Sequence, residues 1–184
     1  MFLVLDTMGH LTRGWLLVLV GGLLLAVGGI LTTLGWNTLR ERSQMRTLIS
    51  AVAREWEINN NLLTAEPLFT GSDDAALSSH RLYPRLYTNA TAGVLASGLF
   101  NPAKQRDRLL LRAVADYQES VRDVNSRLSV SDGFVTSTQD LGKIRDHRRH
   151  VLQSPGFKGL LRQHARIGDL LKAEYKWAEQ RFLD

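Results

Sequence analysis

Three histidines and a run of cations are the residues of this chain whose types and spacing could do chemistry. His147 and His150 stand three apart, with Asp146 beside them and His164 further on. On a helix, a spacing of three or four can place two imidazoles on one metal ion. Arg145, Arg148, Arg149 and Arg162 crowd the same stretch, however, and repel a cation. The expectation is two surface or partly packed histidines, with His164 in a core. Between Leu141 and Lys172 the cations Lys143, Arg145, Arg148, Arg149, Lys158, Arg162, Arg166 and Lys172 face only Asp146 and Asp169, a net +6 in a chain of net charge +5. Guanidinium groups offer planar, paired donors to phosphate. If two helices fold back around Ser154–Pro155, the first seven of these cations form a candidate anion-binding patch. It would take a phosphate-bearing ligand or an anionic lipid. Plain solvated helix faces carry the same charges. Aromatic residues for base stacking are sparse there, so sequence-specific nucleic-acid binding is not expected.

No other constellation points to catalysis. The glycine pairs lack the Lys-Ser/Thr of a phosphate-binding loop, and neither a Gly-x-Ser-x-Gly elbow nor a His-Glu-x-x-His motif occurs. Asp73, Asp74 and Asp107 stand apart from any second carboxylate of a catalytic pair. The chain has no cysteine, which removes disulfides, thiolate nucleophiles and Cys-ligated metals. A binding protein without cofactor or metal is the expectation, not an enzyme.

The elements that must position these residues begin with an uncharged run of 26 residues from Gly14 to Leu39. Its centre, Trp15–Trp36, is 22 residues, or about 33 Å as a helix, against a hydrocarbon layer of about 30 Å. A Trp at each end suits the interface. The run is long for a signal-peptide core, Asp6 interrupts the preceding segment, and no small-x-small cleavage site follows. A retained, single-pass transmembrane helix is expected. Arg40, Arg42 and Arg46 outweigh Glu41 behind it, whereas Arg13 and the amino terminus are offset by Asp6 ahead of it. The positive-inside rule then places the C-terminal domain in the cytoplasm.

Within the run, Gly14, Gly21, Gly28 and Gly35 recur every seven residues, and Gly22 and Gly29 repeat the step beside them. Ala26 and Thr33 widen the strip. Small residues at this period let two helices approach closely along one seam, so self-association through Gly14, Gly21, Gly22, Ala26, Gly28, Gly29, Thr33 and Gly35 is expected.

The organisation that follows is a stub at 1–14, a transmembrane helix at 15–36, a juxtamembrane helix at 37–64 and a soluble helical domain at 65–184. Met45, Ile49, Val52, Trp56, Asn59 and Leu63 form a stripe at steps of four and three. That stripe fits a seam between subunits or, the favoured reading, packing into its own domain. Pro67, Gly71, Asp73 and Pro84 punctuate a loop with one short helix near Asp74–His80. A helix runs from Asn89 to Leu99. Asn101 caps and Pro102 opens a long helix to about Val130, ended by Ser131–Asp132–Gly133. A helix over Gln139–Gln153 turns inward Leu141, Ile144, Val151 and Leu152. A last one starts at Ser154–Pro155 and runs towards Asp184, with Phe157, Leu161, His164, Ile167, Leu171, Tyr175, Ala178 and Phe182 on its apolar face. The fold class is all-α: one N-terminal transmembrane helix followed by a bundle of about four to five helices.

Arg46–Leu63 (RTLISAVAREWEINNNLL), Leu86–Phe100 (LYTNATAGVLASGLF) and Leu109–Leu128, with its Tyr117 and Asn125, together carry a likeness. Through them the chain resembles a diffuse family of uncharacterised prokaryotic single-pass membrane proteins with an α-helical cytoplasmic domain. The resemblance covers most of residues 15–130. It implies this architecture and an inner-membrane location, and no activity. The expected role is a membrane-anchored, self-associating interaction or scaffold protein. A ligand-gated, nucleotide-sensing membrane effector of prokaryotic defence is the first alternative, and a small auxiliary subunit of a larger membrane complex the second.

Overall fold

A computed structural model describes the backbone of residues 2–175 and the side chains of residues 22–173. Among these residues there are seven helices and no strand: α1 (Phe2–Ala65), α2 (Pro67–Thr70), α3 (Asp74–Leu77), α4 (Asn89–Ala96), α5 (Gln105–Ser137), α6 (Leu141–Gln153) and α7 (Pro155–Tyr175). The all-α class is as expected. The expected packing residues Ala178 and Phe182, and the side chain of Tyr175, lie outside the described residues. So do the side chain of Trp15 and the surroundings of Gly14 and Gly21.

The chain divides into two compact units, Met1–Gln44 and Met45–Asp184. In the first, every described residue from Gly22 to Gln44 is exposed, and its large apolar side chains range from Val27 at 46% to Leu25 at 79%. This part of α1 is one helix long and apolar enough to cross a membrane, near the N-terminus. Its hydroxyls are satisfied within the helix. Thr32 donates to the Gly28 carbonyl at 2.9 Å, Thr33 to Gly29 at 2.8 Å and Thr38 to Gly35 at 2.8 Å. A polar side chain bonded back to its own helix leaves little to desolvate in an apolar medium.

The second unit is organised around α5. Its buried face, Leu110, Val114, Tyr117, Val121, Val124 and Leu128, joins Val52 and Leu63 of α1 and Leu160, Ile167 and Leu171 of α7 in one core. The stripe Ile49, Val52, Asn59, Leu63 is thus spent inside its own domain, with Asn59 fully buried. Helices α5 and α7 run antiparallel: Asp116 meets Arg166, and Asp123 lies against Gly156. Helix α1 also opposes α7, since Asn60 meets His164 and Trp56 lies against Gly168. The C-terminal end of α7, the start of α5 and Met45 therefore share one end of the unit.

Three expected boundaries move. Helix α5 passes through Ser131–Asp132–Gly133 and ends at Ser137. Residues 131 and 132 are buried there, and the Asp132 carboxylate accepts from the Tyr83 N–H at 3.1 Å and Arg85 at 2.7 Å. A residue type that favours turns is held helical because its side chain has a long-range task. At the other end, Asn101–Pro102 does not open the helix; Lys104 is the N-cap. Asn101 instead makes a local turn, its side chain accepting from Ala103 N–H at 2.9 Å, while its own N–H donates to buried Asp107 at 3.0 Å. Helix α4 stops short of Leu99 because Gly98 adopts φ 65°, a left-handed conformation that ends helices cheaply only at glycine.

Residues 81–88, which form no helix, lie between α1 and α5 and are read by side-chain amides. Asn125 accepts from Leu86 N–H at 3.1 Å and donates to its carbonyl at 2.8 Å. Asn59 does the same for Tyr87, at 2.8 and 2.9 Å. Backbone that is partly withdrawn from water needs partners for both its groups, and two asparagines supply them where no strand is present among the described residues.

Candidate functional site

The first candidate surface is the small-residue face of the apolar helix. Ala26 and Thr33 are exposed there, and a Cβ added at Gly22, Gly28, Gly29 or Gly35 would meet nothing within 4 Å. No described segment of the chain covers this strip, so its backbone is open to close approach.

The second is the expected cation patch, which the fold takes apart. Arg148 is a correction: it is fully buried, not part of a surface. Its guanidinium donates to the carbonyls of Ala76 (2.8 Å), Leu77 (3.1 Å) and Arg81, and lies over the Tyr83 ring at 5.4 Å. Four carbonyl and ring partners thus hold a charge that water does not reach. Burial lowers the Arg148 pKa and pushes the Tyr83 phenol up to about 12. Neighbouring cations are matched with acids: Arg149 with Asp74 at 2.7 Å, Arg166 with Asp116 at 3.2 Å, Arg145 with Asp146 at 3.3 Å and Lys143 with Asp140 at 3.7 Å. Lys158 and Arg162 are exposed on α7. The helical phase held the signal for Arg148, which stands four residues after Ile144 and three before Val151, both buried.

His147 and His150 do not converge on a metal, and the described residues hold no group of three ligands. His147 packs against Phe134, ring centroids 4.7 Å apart, and burial followed by the charges of His150 and Arg148 lowers its pKa.

His164 is buried as expected, and it closes a polar chain that joins α1, α5 and α7. Asn59 Nδ2 donates to the Tyr117 hydroxyl at 2.8 Å. That leaves the phenolic proton for His164 Nδ1 at 3.3 Å, and the proton on Nε2 for Asn60 Oδ1 at 3.3 Å. Only the neutral imidazole fits this direction of donors. Trp56 stacks on the ring at 4.8 Å with an interplanar angle of 5°, and its indole N–H donates to the His164 carbonyl at 2.8 Å. Burial holds the His164 pKa at about 4, from an ordinary 6.5.

The unfolded chain therefore binds a proton that the folded one refuses between these two values, and stability falls as pH drops through that window. Full loss at the lower end is about 3 kcal/mol; above the upper value the effect vanishes. His147 adds to it with the same sign. Thermal unfolding followed from neutral pH to pH 4 should show this slope, and His164→Asn should remove the larger part. An unchanged slope in that variant would show that the imidazole is not held neutral.

A third group of cations is invisible in the linear sequence because its members are far apart in the chain. Arg46, Lys104, Arg108 and Arg112 are exposed, and among the described residues none has an acidic partner. The α1–α5–α7 register sets all four towards the end of the helical unit at which the chain enters. The expected patch residues Lys143, Arg145, Arg149 and Lys158 lie towards the opposite end, where α6 turns into α7. Met45 to Leu63 spans about 27 Å of helix between those ends.

Comparison of the chain with protein-family models, with curated proteins and with solved structures gives no match.

Proposed function

We propose that this chain is a single-pass membrane protein that anchors a helical interaction domain. It self-associates through the small-residue face of its span and works as a scaffold by binding, not by catalysis. The carrying observation is the apolar helix itself, whose described side chains from Gly22 to Gln44 are all exposed. About 25 cal/mol is at stake for each Å² of apolar surface left in water, and a bilayer is the solvent that removes this cost along a single helix. The open backbone at Gly22 and Gly29 supports a helix partner of the same kind. The positive flank after the span favours the helical domain on the cytoplasmic side of a prokaryotic inner membrane.

In this reading the chain is extracted from membranes by detergent and not by salt or alkali. Crosslinking in membranes yields a discrete oligomer, and Gly22→Leu with Gly29→Leu reduces its yield at least tenfold while the chain stays in the membrane fraction. An oligomer that survives both substitutions would place the contact elsewhere. A chain released by alkali would remove the anchor. The nucleotide-sensing alternative draws less support, because its motivating arginine cluster is partly buried and largely ion-paired.

A further inference from the structure

We infer that the end of the helical unit at which the chain enters, through Arg46, Lys104, Arg108 and Arg112, docks on anionic lipid headgroups. The inference rests on the anchoring proposed above and names a partner for a surface which that proposal leaves unassigned.

Three observations carry it. The four side chains are exposed and have no acidic partner among the described residues, unlike the ion-paired arginines of α6. The charge of α5 is also graded along its length. Lys104, Arg108 and Arg112 occupy the beginning, and Asp116 and Glu119 follow on the same outer face. Of the acids near the cationic end of this unit, Asp107 and Glu55 are buried and accept from backbone N–H groups, of Asn101 and of Ala90 and Thr91, and Asp169 is exposed on α7. Finally, Leu109 is 40% exposed between Arg108 and Arg112. An apolar side chain flanked by cations is the composition that sits at a headgroup boundary.

Chain length supplies the target. Arg46 stands ten positions after Trp36, at most about 36 Å of chain in any conformation. An anchored protein thus keeps this end close to lipid. Each cation brought within a Debye length of an anionic surface shifts docking by roughly fivefold at physiological salt.

The experiment uses the full chain in lipid nanodiscs, either phosphatidylcholine alone or with about a quarter replaced by phosphatidylglycerol. The chain has no cysteine, so Gln105→Cys carries one fluorophore on the outer face of α5, and Gln153→Cys carries one at the opposite end of the unit. Acrylamide quenching at position 105 should fall severalfold in the anionic discs and recover at high salt, with position 153 unchanged in both. Adding Arg108→Gln and Arg112→Gln should cut the docked-to-undocked ratio by about twenty-five-fold. Equal quenching of position 105 in both discs overturns the inference, as does protection of position 153 instead. Protection of position 105 that persists at high salt overturns it too, with all four cations left in place. Failure of the chain to enter phosphatidylcholine discs would count against the anchor, a separate outcome.

Discussion

Replacing Arg148 with Met destabilises the helical unit by about 3–5 kcal/mol. The side chain is fully buried and reaches three carbonyls, those of Ala76, Leu77 and Arg81. The Ala76 carbonyl keeps the Ser79 hydroxyl, which donates to it at 2.7 Å, so the carbonyls of Leu77, at the end of α3, and Arg81 are the two that lose their donor. Methionine fills a similar volume but donates nothing, and each buried oxygen left unpaired costs about 1–3 kcal/mol. The guanidinium is also a buried link between α6 and both α3 and the start of residues 81–88. The neighbouring Arg149→Met is the control. Its bond to Asp74 is a surface ion pair, so its loss changes stability by about 1 kcal/mol or less. Thermal unfolding of the detergent-solubilised chain, read by far-ultraviolet circular dichroism, should separate the two variants by about 10 °C. Equal midpoints would show that Arg148 reaches water.

Gly168→Ala is the second large effect, and its cost comes from too many atoms. An added Cβ would lie 2.6 Å from Trp56 Cζ2 and 2.8 Å from Cε2. The indole cannot yield cheaply, because it is stacked on His164 and bonded to the His164 carbonyl. Overpacking of this kind costs about 1–3 kcal/mol, and here it also strains the polar chain through Tyr117 and Asn59. Gly159, on the same helix, has nothing within 4 Å of its Cβ position. Gly159→Ala should instead stabilise by up to about 1 kcal/mol, the difference in helix propensity. Denaturant unfolding of both variants tests the contrast. In a Trp56→Leu background the penalty at Gly168 should shrink, since the two sites share one contact. An undiminished penalty would move its origin away from the indole.

These two glycines, like Arg148 and Arg149, look alike in the chain and differ in the fold. Phase gave a partial warning for Arg148, which sits between Ile144 and Val151 on the buried side of α6. Nothing local distinguishes Gly168 from Gly159, since the obstacle is an indole 112 positions earlier. The passage of α5 through Ser131–Asp132–Gly133 was hidden for the same reason. Its Asp132 is recruited by Tyr83 and Arg85, some 47 to 49 positions away. Asn101 showed the reverse: a good capping residue whose side chain is spent ahead of the helix on the Ala103 N–H.

What the chain determined by itself is whatever accumulates along consecutive residues. An uncharged run longer than twenty residues and apolar stripes at helical period declare their elements without help, because transfer and propensity terms add locally. The all-α class, the single apolar helix and most of the core positions on α1 and α7 followed from that. Tertiary structure alone decided which cations are buried, which are ion-paired and which remain open to a partner. Charge is long-ranged, and its energy depends on what stands opposite. Arg148 became a buried strut, Arg149 a surface pair and Arg108 an open cation through neighbours that only folding could deliver.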